Sequence, residues 1–316
     1  MQTVKQEISI NDAQAVAVSN AGLLNMTISR LQNNTQATKA PKYYLTEVVR
    51  VRLYKEDNAR WTIKEFKQWV HYMFYAGVDH IFVCNHYLDE SEKIESYLQK
   101  YVEKGLMTVI PWTFRNPRKG QEDYVTRIHD NQMGCYNYFL MGNGSDTVWQ
   151  MSIDMDEYPF CMKDQSRGFL KRYLQQYNSK PSRRNVTAVA MDNFLMLGDG
   201  DRTHDMVIDR INRMMTPNVT DSHCKPVYKT NCTVMVGIHN VKADACPGAF
   251  KVRLYPTELR MLHYWGSRTN ITGLLKEEIK RKTVEFNLVR DTISKHVRES
   301  LLNFGEIDAF SNSTGP

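Results

Sequence analysis

The chain contains no stretch approaching the roughly 20 consecutive apolar residues that a helix needs to cross a bilayer, which excludes a helical membrane span from these 316 residues. Its opening, MQTVKQEISINDAQAVAVSN, lacks the basic-then-apolar pattern of a signal peptide. The cytoplasm is therefore the expected location, with the secretory pathway as the alternative if an anchor has been lost. Sequons at Asn25, Asn33, Asn143, Asn185, Asn218, Asn231, Asn270 and Asn312 then read as a consequence of Asn/Thr-rich composition. Cys84, Cys135, Cys161, Cys224, Cys232 and Cys246 form no CxxC pair, so neither a zinc ribbon nor a dense disulfide framework is expected. Reduced thiols are expected, with one local disulfide among the last three as the alternative. No block of one charge stands out: 41 Lys+Arg against 35 Asp+Glu leave +6 spread along the chain. That balance is too diffuse for nucleic acid and suits a small anionic ligand such as a nucleoside diphosphate.

What is present is a core. With 42% hydrophobic and 11% aromatic residues, and no internal repeat, the chain reads as one body over 43–305, preceded by a leader over 1–42 and followed by a tail over 306–316. The leader is rich in Asn, Gln, Thr and Ala, with one short helix expected around Ala13 to Leu31. From Tyr43 a β-like run (YYLTEVVRVRLY) leads to TIKEFKQWVHYMFYAG, whose Phe66, Trp69, Val70, Met73 and Phe74 recur at helical spacing before Gly77. Val78 to Cys84, a helix over Glu92 to Lys104, the run LMTVIPW and a helical stretch from Asp123 to Met141 repeat the alternation. Strands alternating with helices of this length predict βαβ units: an α/β fold with a mainly parallel, mixed sheet flanked by helices. The later half alternates β-like runs (VTAVAMDNFLML, VMVGIHNV, FKVRLYP, ELRMLHYW) with turns and closes in a charged helix expected from about Ile271 to Leu302.

In a parallel sheet, ligands bind at the carboxyl ends of strands. There the loops holding Lys55, Glu56, Asp57 and Asn58, and Asn85 to Asp89, are expected to bracket a nucleotide. Asn85 offers both a donor and an acceptor to a pyrimidine edge. The most informative segment is the apolar run Thr147 to Ile153, which ends in Asp154, Asp156 and Glu157. Like charges this close repel and raise one another's pKa unless something positive holds them. Asp154 and Asp156, two apart at a strand end, share a face and can reach one hard cation, Mn2+ or Mg2+, which keeps positions open for phosphate oxygens. The same triplet read alone is a solvated acidic turn.

The order of several motifs resembles a known family. These are Lys55-Glu56-Asp57; Trp69 with Ala76-Gly77-Val78 and Ile81-Phe82-Val83; Asp89-Glu90-Ser91; Gly105 to Trp112; Gln132 and Cys135; Trp149 with Ile153 to Tyr158; Leu197-Gly198; Lys225-Pro226-Val227 with His239; and Leu262-His263-Tyr264. Together they resemble a GT-A fold (Rossmann-like) glycosyltransferase close to glycosyltransferase family 92, over about Tyr43 to Lys282. The resemblance implies a metal-dependent hexosyl- or pentosyltransferase that moves a sugar from a nucleotide-sugar donor to a glycan hydroxyl. It implies a metal held by Asp154 and Asp156 and completed by a histidine from the later half, His263 or His239, with Arg268 meeting the diphosphate. Asn85 stands where many such enzymes carry an Asp. UDP is the expected nucleotide. An inverting transferase also needs a carboxylate base, and Asp199 or Asp201, in a glycine-flanked loop, is the expectation, with Asp192, Asp209 and Asp244 behind them. Tyr158 and Trp265 are expected near a ligand from position alone. Two other readings stay open: a non-catalytic nucleotide- or carbohydrate-binding protein, and a metal-dependent phosphohydrolase, although the latter usually needs a second carboxylate or histidine cluster.

Overall fold

The chain folds around the strand β1 (Tyr43–Val51), whose apolar run is buried on both faces as a central strand of a parallel sheet requires. The computed structural model describes residues 40–52, 59–87, 92–112, 128–183, 185–197, 213–215, 221–264, 283–285 and 288–304. β1 lies parallel to β2 (His80–Asn85) on one side and to β4 (Thr147–Ser152) on the other, and β3 (Met107–Pro111) extends the parallel set beyond β2. The crossovers carry α1 (Ala59–Ala76), α2 (Glu95–Glu103) and α3 (Ile128–Asn143). The remaining elements are β5 (Glu157–Cys161), α4 (Phe169–Ser179), β6 (Val186–Leu197), β7 (Arg213–Met215), β8 (Asp221–Lys229), β9 (Thr233–Val236), β10 (Val241–Asp244), β11 (Phe250–Arg253), β12 (Leu259–His263), β13 (Thr283–Glu285) and α5 (Leu288–Asn303). Among the described residues the main sheet has eleven strands, ordered β13-β7-β6-β8-β4-β1-β2-β3, with β11 and β12 joining β6 and with β5 joining β12. β8 runs antiparallel to both β4 and β6, so the first half of the sheet is parallel and the second half mixed.

Alternation along the strands builds a core on each face. Val49, Ile81 and Val83 join α1 and α4 with Trp69, Tyr72, Met73 and Leu170. Val48, Phe82 and Cys84 face α3, against Tyr136, Phe139 and Leu140. Gly77 ends α1 at φ +108, and a Cβ there would meet Lys171 Cβ at 2.8 Å and Gly168 Cα at 3.0 Å, so both the backbone and the approach of α4 require glycine. Two side chains of α1 then fasten β5: Trp69 Nε1 donates to Glu157 O at 2.9 Å and Tyr72 OH to Pro159 O at 2.6 Å.

Several expectations change. The thiols are not all reduced: Cys84–Cys135 and Cys232–Cys246 are disulfides, while Cys161 and Cys224 keep their thiols. The second bridge is the local one expected among the last three cysteines. The first links residues 51 apart that share no spacing signature, because only the packing of α3 on β2 brings them together. VMVGIHNV is not one strand: it spans the end of β9, the turn and the first residue of β10 in an antiparallel hairpin. The closing helix does not reach back to Ile271 as one piece, since Thr283–Glu285 is a strand paired with β7, and helix is described from Leu288. A β-branched Thr-Val pair favours that strand over a helical turn. Tyr158 is 2% exposed, edge-on to Tyr72 and Tyr264, and belongs to the core rather than to a ligand site. The leader helix and Trp265 lie outside the described residues.

Candidate active site

The register of the parallel strands places Val51, Asn85 and Pro111 in one row at the carboxyl edge, with Ser152 of β4 level with Val48. Ile153 to Asp156 therefore form the loop that leaves the central sheet at its ligand-binding edge and turns, with Glu157 N donating to Asp154 O at 3.0 Å, into β5. β12 pairs with β5 so that His263 lies opposite Glu157, and Tyr264 N holds Asp156 O at 2.7 Å. His263 Nε2 is 3.8 Å from Asp156 Oδ2. This is the histidine that the fold carries to the acidic loop. His239 sits in the β9–β10 turn, where its carbonyl oxygen accepts the Cys224 thiol.

The three carboxylates occupy three different environments. Glu157 is 1% exposed; its Oε2 accepts Asp154 N at 2.9 Å and the Lys225 ammonium at 3.1 Å, and Asn193 Nδ2 donates to Oε1 at 3.3 Å. Asp154 accepts from Gln132 Nε2 at Oδ1, 2.5 Å, and from Lys225 Nζ at Oδ2, 3.1 Å. Asp156 faces His263. Behind the loop, fully buried Glu47 of β1 accepts Ile153 N at 3.0 Å. Sequence reasoning quoted Lys225 only within the motif Lys225-Pro226-Val227, with no role assigned, and gave no part to Glu47. Their signals were a lysine inside the apolar stretch CKPVYK and a lone glutamate inside LTEVVRV.

The electrostatics follow from this packing. Burial alone disfavours the Lys225 ammonium, but Glu157 and Asp154 outweigh it and hold the charge well above the ordinary lysine range. Burial pushes the Glu157 carboxyl up while Lys225 draws it back, and the pair stands as an ion pair. Burial drives Glu47 well up, opposed by the Ile153 amide. For His263, burial lowers the pKa, yet the carboxylate of Asp156, with Glu157 and Asp154 behind it, wins and raises it to about 9. Removing either member of a buried pair such as Lys225–Glu157 typically costs about 3–5 kcal/mol, because the other charge is left uncompensated.

The fit to a divalent cation is partial. Among the described residues, no three carboxylate, histidine or thiolate groups converge to hold a metal by themselves. Asp156 and His263 face each other with O and N donors of the right chemistry, and Mg2+ or Mn2+ sites commonly use one or two protein ligands together with substrate phosphates. Asp154, with a donor on each oxygen, is the poorer candidate. Of the other expected binding residues, Asn85 is fully buried at the end of β2, its Nδ2 donating to Glu95 Oε2 at 2.7 Å, while its Oδ1 finds no partner among the described residues. Asp192, an alternative base, is held by Arg253 Nε at 2.5 Å. Lys55, Glu56, Asp57, Asp89, Asp199, Asp201, Asp209 and Arg268 lie outside the described residues, and Asp244 is described only as backbone in β10.

The model of the family described as glycosyltransferase family 92 matches residues 56–303, most of the chain. The chain belongs to glycosyltransferase family 92. Membership makes this protein a glycosyltransferase. No curated protein matches the sequence. Among solved structures, a 4-diphosphocytidyl-2C-methyl-D-erythritol synthase from Anaerococcus prevotii DSM 20548 is 11% identical and aligns over 76% of this chain and 97% of its own, at a TM-score of 0.35. A protein described as a glucose-1-phosphate thymidylyltransferase from Bacillus anthracis, in complex with a sucrose, is 10% identical over 60% of this chain and 72% of its own, at 0.31. Likenesses this loose carry no argument about the family 92 chain.

Proposed function

We propose that the protein transfers a hexosyl or pentosyl group from a UDP-sugar to a glycan hydroxyl, with inversion, at the edge formed by the acidic loop, His263 and Asn85. The observation that supports this most directly is the pairing of Asp156 with His263 at the carboxyl edge of the parallel sheet of a family 92 chain. Asp156 and His263 are the residues that would hold Mn2+ or Mg2+, which when bound would offset the charge of the donor diphosphate and of the departing nucleoside diphosphate. The loop backbone keeps these two side chains in place through Tyr264 N and Glu47. On the acceptor side, Asp199 or Asp201 takes the proton of the hydroxyl as its oxygen bonds to the anomeric carbon and the bond from that carbon to the phosphate oxygen breaks. Arg268 meets the diphosphate, and the loops holding Lys55 to Asp57 and Asn85 to Asp89 receive the nucleoside.

The test is to incubate a panel of UDP- and GDP-sugars with Mn2+, with and without glycan acceptors, and to determine the product's anomeric configuration by NMR. Transfer from a UDP-sugar with inverted configuration is expected. Tighter binding of GDP than of UDP in calorimetry would reject the nucleotide, and a retained configuration would remove the need for Asp199 or Asp201 as base. Donor turnover to free sugar or phosphate alone would favour a hydrolase.

The two disulfides favour an oxidising lumen over the cytoplasm expected from the amino-terminal sequence. The sequon residues Asn185 and Asn231 are exposed, as attachment of a glycan requires. Expression in cells with secretory entry should yield a protein whose mobility shifts on endoglycosidase treatment; no shift would return the chain to a reducing compartment.

A further inference from the structure

We propose that the cleft between α4 and the β11–β12 turn is a binding site for an acidic saccharide, one sugar ring carrying a carboxylate, held apart from the site of transfer. The inference is independent of the donor, metal and stereochemical readings above. The cleft has a volume of about 210 Å3. Pockets for drug-sized ligands run from about 300 to 1,000 Å3, so this one is on the scale of a single ring. Its position follows from the β5–β12 ribbon. At one end of the ribbon Glu157 stands opposite His263, and at the other Cys161, which lines the cleft, stands opposite Leu259. The strand from Glu157 to Cys161 spans about 13 Å at 3.2–3.4 Å per residue, so an occupant of the cleft is not the sugar at the acidic loop.

The lining brings together three kinds of group. Phe169, Tyr173 and Tyr177 recur every fourth residue along α4 and so share one face of the helix. Phe169 and Tyr177 are buried, and the rings of Tyr173 and Tyr177 lie 5.9 Å apart at a tilt of 31°. Such rings offer an apolar surface for the CH face of a sugar and a polar handle at the edge. Glu258, just before β12, accepts from Tyr173 OH at Oε2, 2.9 Å, which leaves Oε1 and the neighbouring Gln176 amide for sugar hydroxyls. The third kind is charge. Asp164 is engaged within the protein, its Oδ1 accepting from Ser166 N at 2.9 Å and its Oδ2 from Arg172 Nη2 at 2.7 Å. Lys163 and Lys180, by contrast, form no hydrogen bond or ion pair among the described residues. Each carboxylate of the lining therefore has a donor while neither ammonium has an acceptor, which favours an anionic ligand over a neutral or cationic one.

The test titrates the full chain, by ligand-observed NMR, with three probes. Methyl β-D-glucuronide carries both ring and carboxylate, methyl β-D-glucoside has a hydroxymethyl group in place of the carboxylate, and acetate has the carboxylate without the ring. The glucuronide should bind about 2- to 30-fold more tightly than the glucoside, the range that two exposed ion pairs supply. Lys163→Ala/Lys180→Ala should remove that preference, and since both side chains are exposed and unbonded the fold is left intact. Tyr173→Leu should weaken both sugars by at least about twofold. UDP affinity should equal the parent's in both variants. Absence of binding by either sugar, equal affinity for the two in the parent, or a preference that survives in the double lysine variant would each overturn the proposal. Displacement of the glucuronide by acetate at equal concentration would make the cleft a site for small anions only and overturn the saccharide assignment. Loss of UDP affinity in the lysine variant would place these lysines at the donor site and overturn it as well. The transfer reading stands under the other outcomes.

Discussion

Residue by residue, the acidic loop shows how one local motif is given three chemistries by what packs around it. Asp156 pairs with His263, so Asp156→Ala is expected to abolish Mn2+ binding and transfer while leaving the melting temperature within a few degrees, checked by titration and by thermal melting side by side. The neighbouring carboxylates raise His263 to about 9, so a metal held as proposed would have to displace a proton from it at neutral pH. Apparent Mn2+ affinity should therefore climb as pH rises from 6 to about 9 and level off above it, and a flat profile would remove His263 from the metal shell. Glu47 gives a different test. Its carboxyl is driven far up by burial and its Oε1 accepts the Ile153 amide. A neutral amide of the same shape serves as well, so Glu47→Gln should change stability by less than about 1 kcal/mol, whereas Glu47→Leu strands the amide and should cost about 1–3 kcal/mol in urea unfolding.

Among the elements, two junctions control how the edge of the sheet is held. The carboxyl-terminal helix α5 docks on α1 through His71, whose two ring nitrogens meet Ser300 Oγ and Tyr101 OH, each at 2.8 Å, inside an aromatic cluster with Phe304. Burial first, then Lys67 and Lys104, lower the His71 pKa to about 4. The unfolded chain therefore binds a proton here between about pH 6.5 and 4 that the folded chain refuses. The resulting stability is fully present above pH 6.5 and is lost as pH falls through that window, by up to about 3 kcal/mol. Urea unfolding of the parent and of His71→Gln from pH 7.5 to 4.5 checks it, and the variant should show a shallower slope. The second junction is the Cys84–Cys135 bridge, which ties the end of β2, next to Asn85, to α3, the helix that carries Gln132 to Asp154. Closing a loop of 51 residues corresponds to roughly 4 kcal/mol of chain entropy in the unfolded state. Cys135→Ser, leaving Cys232–Cys246 intact, is expected to lower the melting temperature and to weaken donor binding, read by differential scanning calorimetry and by UDP titration.

For the whole molecule, the two cores divide labour. The face built on α1, α4 and α5 clamps β5 through Trp69 and Tyr72, while the face built on α3 supplies Gln132 and the disulfide. The acidic loop crosses between β4 and β5, so it is held from both sides and from β8 and β12 as well. That arrangement fixes the charged loop through protein contacts alone, as a pre-organised site requires.

The alternation of apolar runs with helical periods was enough to read β1, α1, β2, α2, β3, α3 and β4, because those signals repeat within a few residues and depend only on which face is buried. The apolar strand ending in Asp154 and Asp156 likewise marked the carboxyl edge of the sheet. α4 was not read, nor were β5, β7 and β8, and the closing helix was drawn too long, since strands in the mixed half take their structure from partners far along the chain. The same reason hid the counter-charge. Lys225 reaches Asp154 across 71 residues and Glu47 reaches Ile153 across 106, distances over which no local spacing rule operates. Sequence thus determined that three carboxylates would meet at the ligand edge of an α/β sheet. Only the pairing of β8 with β4 and β6, and of β12 with β5, decided that Glu157 is a buried ion-pair member, Asp154 a held acceptor and Asp156 the partner of a histidine, because strand register, not neighbouring residues, sets which charges share the same few ångströms.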